Sequence, residues 1–170
     1  INANGFSDGR SVGKGSIPCG NVIKDGKAIW TTGSKGNFIG FTNDNILMLY
    51  SGTPEEAISK GMRDAVEFGP YLIVNGKPAE VKGNGGWGIA PRTAIAQRKD
   101  GIVLLLVVDG RSSSSIGVDM QELINIFTRY NAYNAANLDG GGSSILYENG
   151  KIINNVSTLR CLLYTSDAAD

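Results

Sequence analysis

Four dipeptides, Asp25-Gly26, Asn75-Gly76, Asp100-Gly101 and Asn149-Gly150, each lie between short stretches rich in β-branched or aromatic residues. Asx-Gly pairs suit two-residue hairpin turns because both positions tolerate left-handed backbone. Turns that tight can join only antiparallel neighbours. Glycine as a whole supplies 24 of the 170 residues, about twice the usual share of roughly 7%. Many turns mean many short strands. Strands are predicted over Asn21 to Ile23, Lys27 to Thr31, Phe38 to Phe41, Ile46 to Tyr50, Tyr71 to Val74 and Thr93 to Gln97. Others are predicted over Ile102 to Val108, Ala135 to Leu138, Ile145 to Tyr147 and Ile152 to Ile153. The run IVLLLVV, residues 102–108, is apolar at every position. It is expected to be a central strand covered on both faces.

Two segments read as helices. The first spans Pro54 to Phe68, with Thr53 as N-cap, Pro54 in the first turn and Glu56 completing a capping box. Its apolar stripe is Ala57, Ile58, Met62, Ala65 and Val66, and Gly69-Pro70 ends it. The second spans Met120 to Tyr130, capped by Asp119 with Glu122 in the reciprocal position, and buries Leu123, Ile124, Phe127 and Tyr130. The expected fold class is α+β, a mostly antiparallel or mixed β-sheet core with two main helices packed on it. One domain over residues 1–160 accounts for these elements. The closing CLLYTSDAAD matches a translation of a transposon-end adapter used in shotgun DNA libraries, so residues 161–170 are expected to be read-through. Neither end looks natural, and truncation at both ends is expected. Cys19 is then the one native cysteine, read as a small buried hydrophobe that excludes an intramolecular disulfide.

Composition narrows the chemistry further. Lys and Arg number 16 against 16 Asp and Glu, and there is no histidine. Zero net charge without a basic stripe argues against nucleic acid. The sequence contains no membrane-length apolar run. Lack of imidazole removes Ser-His-Asp and Cys-His nucleophiles and histidine-held zinc. Chemistry is left to carboxylates, Arg, Lys, Tyr, hydroxyls, backbone amides or an oxygen-held metal.

Four stretches place polar residues oddly. INANGFSDG opens the chain with Asn2 and Asn4, and APRTAIAQ sets Arg92 between a proline and a strand. VVDGR puts Asp109 and Arg111 just past the apolar strand. NLDGGGSS follows a buried-looking strand with Asp139, then Gly140, Gly141 and Gly142, then Ser143 and Ser144. A carboxylate leaving a buried strand has a tunable proton affinity. Arginines offer planar forks to phosphate or carboxylate, and successive glycine amides can form an anion nest. Together these describe a pocket for something anionic, acted on by acid–base or electrostatic means. Each feature also has a structural reading: Asp109 as a hairpin residue, Arg92 as a surface ion pair, Asn2 and Asn4 as turn formers. The glycines fit neither a P-loop nor a GxGxxG fingerprint, and Ser143 lacks a base.

INANGFSDG, APRTAIAQRKDGIVLLLVVDGR, a capped ELINIF helix and NAANLDGGGSSILYENGKIINNVST, in this order, resemble the phosphodiester glycosidase family. That family is related to the lysosomal uncovering enzyme, N-acetylglucosamine-1-phosphodiester alpha-N-acetylglucosaminidase. The resemblance covers essentially residues 1–160 and implies an α+β fold and hydrolysis of a sugar-1-phosphodiester. For bacterial members it also implies an extracytoplasmic setting and a phosphorylated glycan or sugar-phosphate partner. On the family's motifs fall Asn2, Gly5 and Phe6; Arg92 and Thr93; Asp109 and Arg111; and Asn137, Asp139 and Gly140 to Ser143. Ala96 and Asn4 depart from the family's usual glycine and small residue, which implies a narrower pocket. The chain also stops where the family has a further strand.

The implied chemistry has Arg92, Arg111 and the Gly140 to Gly142 amides holding the phosphate. Asp139, ahead of Asp109, acts at the anomeric carbon as nucleophile or base. No cofactor is called for, and Ca²⁺ or Mg²⁺ on Asp109 and Asp139 stays open. The competing reading is a non-catalytic module that binds phosphorylated cell-surface glycans.

Overall fold

The computed structural model describes residues 4–7, 17–83 and 85–157. The strand pair β1 (Phe6–Ser7) and β2 (Ile17–Pro18) precedes the hairpin β3 (Val22–Lys24) and β4 (Lys27–Trp30). Next come β5 (Gly36–Thr42), β6 (Leu47–Gly52), α1 (Pro54–Ser59) and β7 (Met62–Glu67). The second half runs β8 (Tyr71–Val74), β9 (Lys77–Pro78), β10 (Arg92–Arg98), β11 (Val103–Val108), α2 (Met120–Arg129) and β12 (Ala132–Leu138). A 3₁₀ turn, Gly141–Ser143, and the hairpin β13 (Tyr147–Glu148) and β14 (Lys151–Ile152) follow. The fold is α+β, as the turn chemistry predicts. All four Asx-Gly pairs lie between consecutive strands. In three of them both residues have positive φ: Asp25 and Gly26 at 50° and 69°, Asn75 and Gly76 at 52° and 78°, Asn149 and Gly150 at 49° and 80°.

Two antiparallel five-stranded sheets, ordered β4-β3-β7-β5-β6 and β11-β10-β12-β8-β9, face one another. Alternation along the strands divides the core into layers. Phe38, Ile23, Met62 and Ala65 pack under Ala57 of α1. Ile39 and Leu47 of the first sheet meet Ala136 and Leu138 of the second. Ala94, Ala96 and Ala135 form a small-residue floor on which Leu123, Ile124 and Phe127 of α2 rest. Both predicted capping boxes form, Thr53 with Glu56 and Asp119 with Glu122.

Four sequence expectations are corrected. Tyr130, expected on the buried face of the second helix, is its C-cap and is 59% exposed. The first helix does not reach Phe68: it ends at Ser59, and Met62–Glu67 is a strand at the centre of its sheet. Gly61, at φ 93°, breaks the helix. Burial of Met62 and Ala65 is compatible with either spacing, so periodicity alone does not separate the two. Residues 103–108 form an edge strand, not a central one, with Val103 at 41% and Leu105 at 51% exposure. The centre is held by β10 and β12, whose alanines let α2 approach closely. Cys19 is exposed, because it lies in the turn after β2 rather than in a packed element.

The two sheets are also stitched by side-chain hydrogen bonds. Leu47 lies on edge strand β6, where its backbone has a free side. Gln97 Oε1 accepts from the Leu47 N–H at 2.6 Å, and Asn134 Nδ2 donates to the Leu47 carbonyl at 2.9 Å. Removing Gln97 strands a buried N–H, a loss of about 1–3 kcal/mol. Gln97→Ala should therefore lower the urea midpoint while leaving the slope of the unfolding curve unchanged.

Candidate active site

Antiparallel pairing brings the start of β10, the end of β11 and the end of β12 to one rim. Arg92 pairs with Val108, and Thr93 pairs with Leu138. The polar stretches just outside those ends therefore meet: Pro91-Arg92, Asp109 to Arg111, and Asp139 to Ser143. Gly140 lies against the Pro91 carbonyl and the Arg92 backbone, where an added Cβ would stand 3.1 Å and 3.4 Å away.

Asp139 leaves β12 half-buried. Burial raises its carboxyl above the ordinary 3.8, while hydrogen bonds from the Ser143 hydroxyl and the Gly140 N–H pull it back in part. Gly141 takes φ 62° and donates its N–H to the Pro91 carbonyl at 2.8 Å. That left-handed turn sets the glycine against Arg111, with an added Cβ only 3.4 Å from Nη2. Arg111, itself at φ 56°, is exposed, and its guanidinium makes no ion pair among the described residues. A desolvated carboxylate and an uncommitted guanidinium thus flank one glycine turn.

Other predicted residues have different occupations. Arg92 is only 4% exposed, with Nη2 bonded to the carbonyls of Trp87 and Gly88 and Nε bonded to that of Val118. Its fork ties two loops to the rim and is not a free anion clamp. Burial lowers its pKa below the ordinary arginine value, Asp119 opposes that, and repulsion from Arg111 adds to it. Asp109 likewise is engaged: Oδ1 accepts from Asn154 Nδ2 and the Asn155 N–H, and Oδ2 also faces the Asn155 N–H, each at 3.0 Å. It pins the returning 154–155 segment. Of the three expected nest amides, Gly140 serves Asp139 and Gly141 serves Pro91. Gly142 keeps an N–H without an acceptor among the described residues.

Asn137 donates its side chain to the Gly69 carbonyl at 2.9 Å and its N–H to Pro70 at 3.0 Å, leaving a buried Oδ1 without a partner. Thr93 is fully buried, its Oγ1 also unpartnered, in the layer between the sheets rather than at the rim surface. Gly5 accepts from the Cys19 N–H at 2.8 Å, Asn4 donates to Gly20, and Phe6 is 37% exposed. Asn2 lies outside the described residues. Among the described residues no three His, Cys, Asp or Glu side chains gather closely enough to hold a metal ion. Sequence reasoning missed Asn154, whose side chain links Asp109 to the Ser144 carbonyl. Its signal was the Asn154-Asn155 pair directly after the apolar Ile152-Ile153.

Comparison with known proteins follows the same lines. Residues 1–162 match the family described as phosphodiester glycosidase. The SPbeta prophage-derived uncharacterized protein YomE of Bacillus subtilis (strain 168) is 36% identical over 164 residues, 92% of this chain and 25% of its own length. Bovine (Bos taurus) N-acetylglucosamine-1-phosphodiester alpha-N-acetylglucosaminidase is 26% identical over 151 residues, 78% of this chain and 28% of that protein. The chain thus spans about a quarter of the length of these relatives. Among solved structures, the pro-peptide-inhibited catalytic domain of the zebrafish enzyme of that name superposes with TM-score 0.72. It has 22% identity and covers 92% of this chain and 55% of that one. A hypothetical protein from Synechocystis reaches TM-score 0.60 at 16% identity, over 92% of this chain and 48% of its own. At such identities the likeness is one of fold.

The raised pKa of Asp139 has a measurable sign. Its neutral form suits the folded site, so the stability tied to it is complete below the unfolded value near 3.8 and is lost as pH rises through the folded value. Asp139→Asn, neutral at every pH, should be more urea-resistant than the native chain at pH 7. At pH 3.5 the two midpoints should coincide.

Proposed function

This chain belongs to the phosphodiester glycosidase family, and we propose that it hydrolyses a sugar-1-phosphodiester of the N-acetylglucosamine-1-phosphate type. The products are free sugar and a phosphate monoester. One observation carries the reading: Asp139, raised in proton affinity by burial, leads into the glycine turn whose Gly141 faces the Arg111 guanidinium, which has no ion pair among the described residues. That turn follows a carboxylate that can act on carbon and faces a cation that can hold phosphate. Support for the substrate class comes from the relatives that bear the name of such an enzyme.

In this reading Arg111 offers its planar fork to the phosphate oxygens, and the Gly142 N–H adds a neutral donor. A phosphate monoester, with a second pKa of ~6, leaves without strong acid help. Asp139 acts at the anomeric carbon, as the base that takes a proton from attacking water or as the nucleophile. The C1–O bond breaks, and its electron pair departs with the phosphate. Arg92 and Asp109 serve as positioning residues, one tying the Trp87 and Val118 loops and the other the 154–155 segment. An extracytoplasmic setting and a phosphorylated glycan as natural substrate belong to the same proposal.

Incubation with the methyl diester of N-acetylglucosamine-1-phosphate, followed by chromatography of released sugar, tests it. Asp139→Asn should lower kcat/KM by roughly a hundredfold or more. The acid limb of the native profile should lie above the ordinary 3.8 of an aspartate, since only the ionised carboxylate is active and its pKa is raised. Diester binding without sugar release would instead identify a glycan-binding module.

A further inference from the structure

A cleft of about 450 Å³ opens beside the rim, between the β7–β8 turn and the loop that carries Trp87. That volume lies within the roughly 300–1,000 Å³ of small-molecule sites. Six residues give it its chemistry: Asn4, Gly5, Asn37, Glu67, Phe68 and Trp87. The Phe68 and Trp87 rings stand 6.4 Å apart at 42°, and Trp87 is 54% exposed despite its size. Among the described residues no lysine or arginine lines the cleft.

Glu67 is held with unusual care for a carboxylate that has no cation partner among the described residues. Its Oε2 accepts from the Asn21 N–H at 2.8 Å and from Asn21 Nδ2 at 2.7 Å. Asn21 is fully buried and is itself anchored to the Ser34 carbonyl and the Thr32 N–H. Glycines flank the carboxylate on both sides. A Cβ at Gly36 would stand 2.3 Å from Glu67 Oε2, and one at Gly20 would stand 2.7 Å from its Cβ. Among the described residues no ion pair engages Glu67 and no donor reaches Oε1. The result is a fixed acceptor, without counter-charge, in the wall of a cleft that also holds an exposed indole.

The walls hang from β10 and β12, at the same rim as Asp139 and Arg111. Arg92 grips the Trp87 and Gly88 carbonyls, and Asn137, two residues before Asp139, grips Gly69 and Pro70. We propose that this cleft binds the pyranose ring of the substrate, with Trp87 stacked on its C–H face and Glu67 Oε1 accepting from ring hydroxyls. This rests on the hydrolase reading for the identity of the ligand. The charge pattern selects the sugar end: a negative wall repels phosphate, whereas hydroxyls need an acceptor. An aromatic face and carboxamides from Asn4 and Asn37 complete what a neutral polyol recognises. Trp87 and Glu67 are thus binding residues, distinct from the group that acts on C1.

The sequence has two tryptophans, so Trp30→Phe leaves Trp87 as the single indole reporter. Titrating that variant of the full chain with methyl α-N-acetylglucosaminide should give a saturable fluorescence change that inorganic phosphate does not reverse. Glu67→Gln, which keeps the shape of the side chain, should weaken the response about tenfold. Against the diester, Trp87→Ala should raise KM about tenfold with little change in inhibition by inorganic phosphate. A fluorescence response without any sugar release would sink the hydrolase reading and keep the sugar cleft. Sugar release with KM unchanged in both Trp87→Ala and Glu67→Gln would do the reverse, as would an indole insensitive to the glycoside.

Discussion

Two buried carboxamides, Gln97 and Asn134, close on the backbone of a single residue, Leu47, and through it join one sheet to the other. An edge strand turned into a core would otherwise bury polar backbone groups with nothing to bind. Gln97 Nε2 also bonds the carbonyls of Asn45 and Gly101, while Asn134 Oδ1 accepts from the Asn75 N–H. Tyr71 makes a second stitch, donating its hydroxyl toward the carbonyls of Phe38 and Tyr50. Because these bonds have direction, they fix how far one sheet slides over the other, which apolar contact between Ile39, Leu47, Ala136 and Leu138 does not. The rim holding Asp139 and Arg111 inherits that alignment, since β10 and β12 carry both the stitches and the site.

Much of this was readable where local chemistry decides the outcome. Thr53 with Glu56 and Asp119 with Glu122 mark helix starts because their side chains satisfy orphan N–H groups within three residues. Asx-Gly pairs mark hairpins for an equally local reason. What escaped depends on neighbours far along the chain. Met62, Ala65 and Val66 suit a helix stripe and a central strand alike, and only pairing with β3 and β5 decides. Leu105 is as apolar as any core residue, yet sequence does not say which strand lies beyond it. The three motifs at the rim were legible as candidates, but the separation of Asp139 from Asp109 was not. That distinction comes from Asn154 and Asn155, which return from 45 and 46 residues away to occupy the latter.

The same contrast separates the two arginines. Arg92 opens β10 and Arg111 follows β11, and both offer five donors. Arg92 is drawn under the rim by three backbone carbonyls and becomes part of the scaffold. Arg111, on a left-handed turn clasped by the Ser112 to Ser115 hydrogen bonds, stays at the surface with its charge unspent. Among the described residues, a guanidinium without an ion pair thus stands at Gly141, and a carboxylate without one stands at Glu67.

The far margin of β11 has consequences for handling the protein as well as for its chemistry. Its inner margin is zipped to β10 through six consecutive partners, while no strand among the described residues takes the outer one. Neither lysine nor proline interrupts Val103 to Val108, so none of the usual deterrents to strand addition is present. Such a border is a template for whichever extended segment arrives first. Two molecules that meet there can pair edge to edge, and solubility becomes a question of concentration and time.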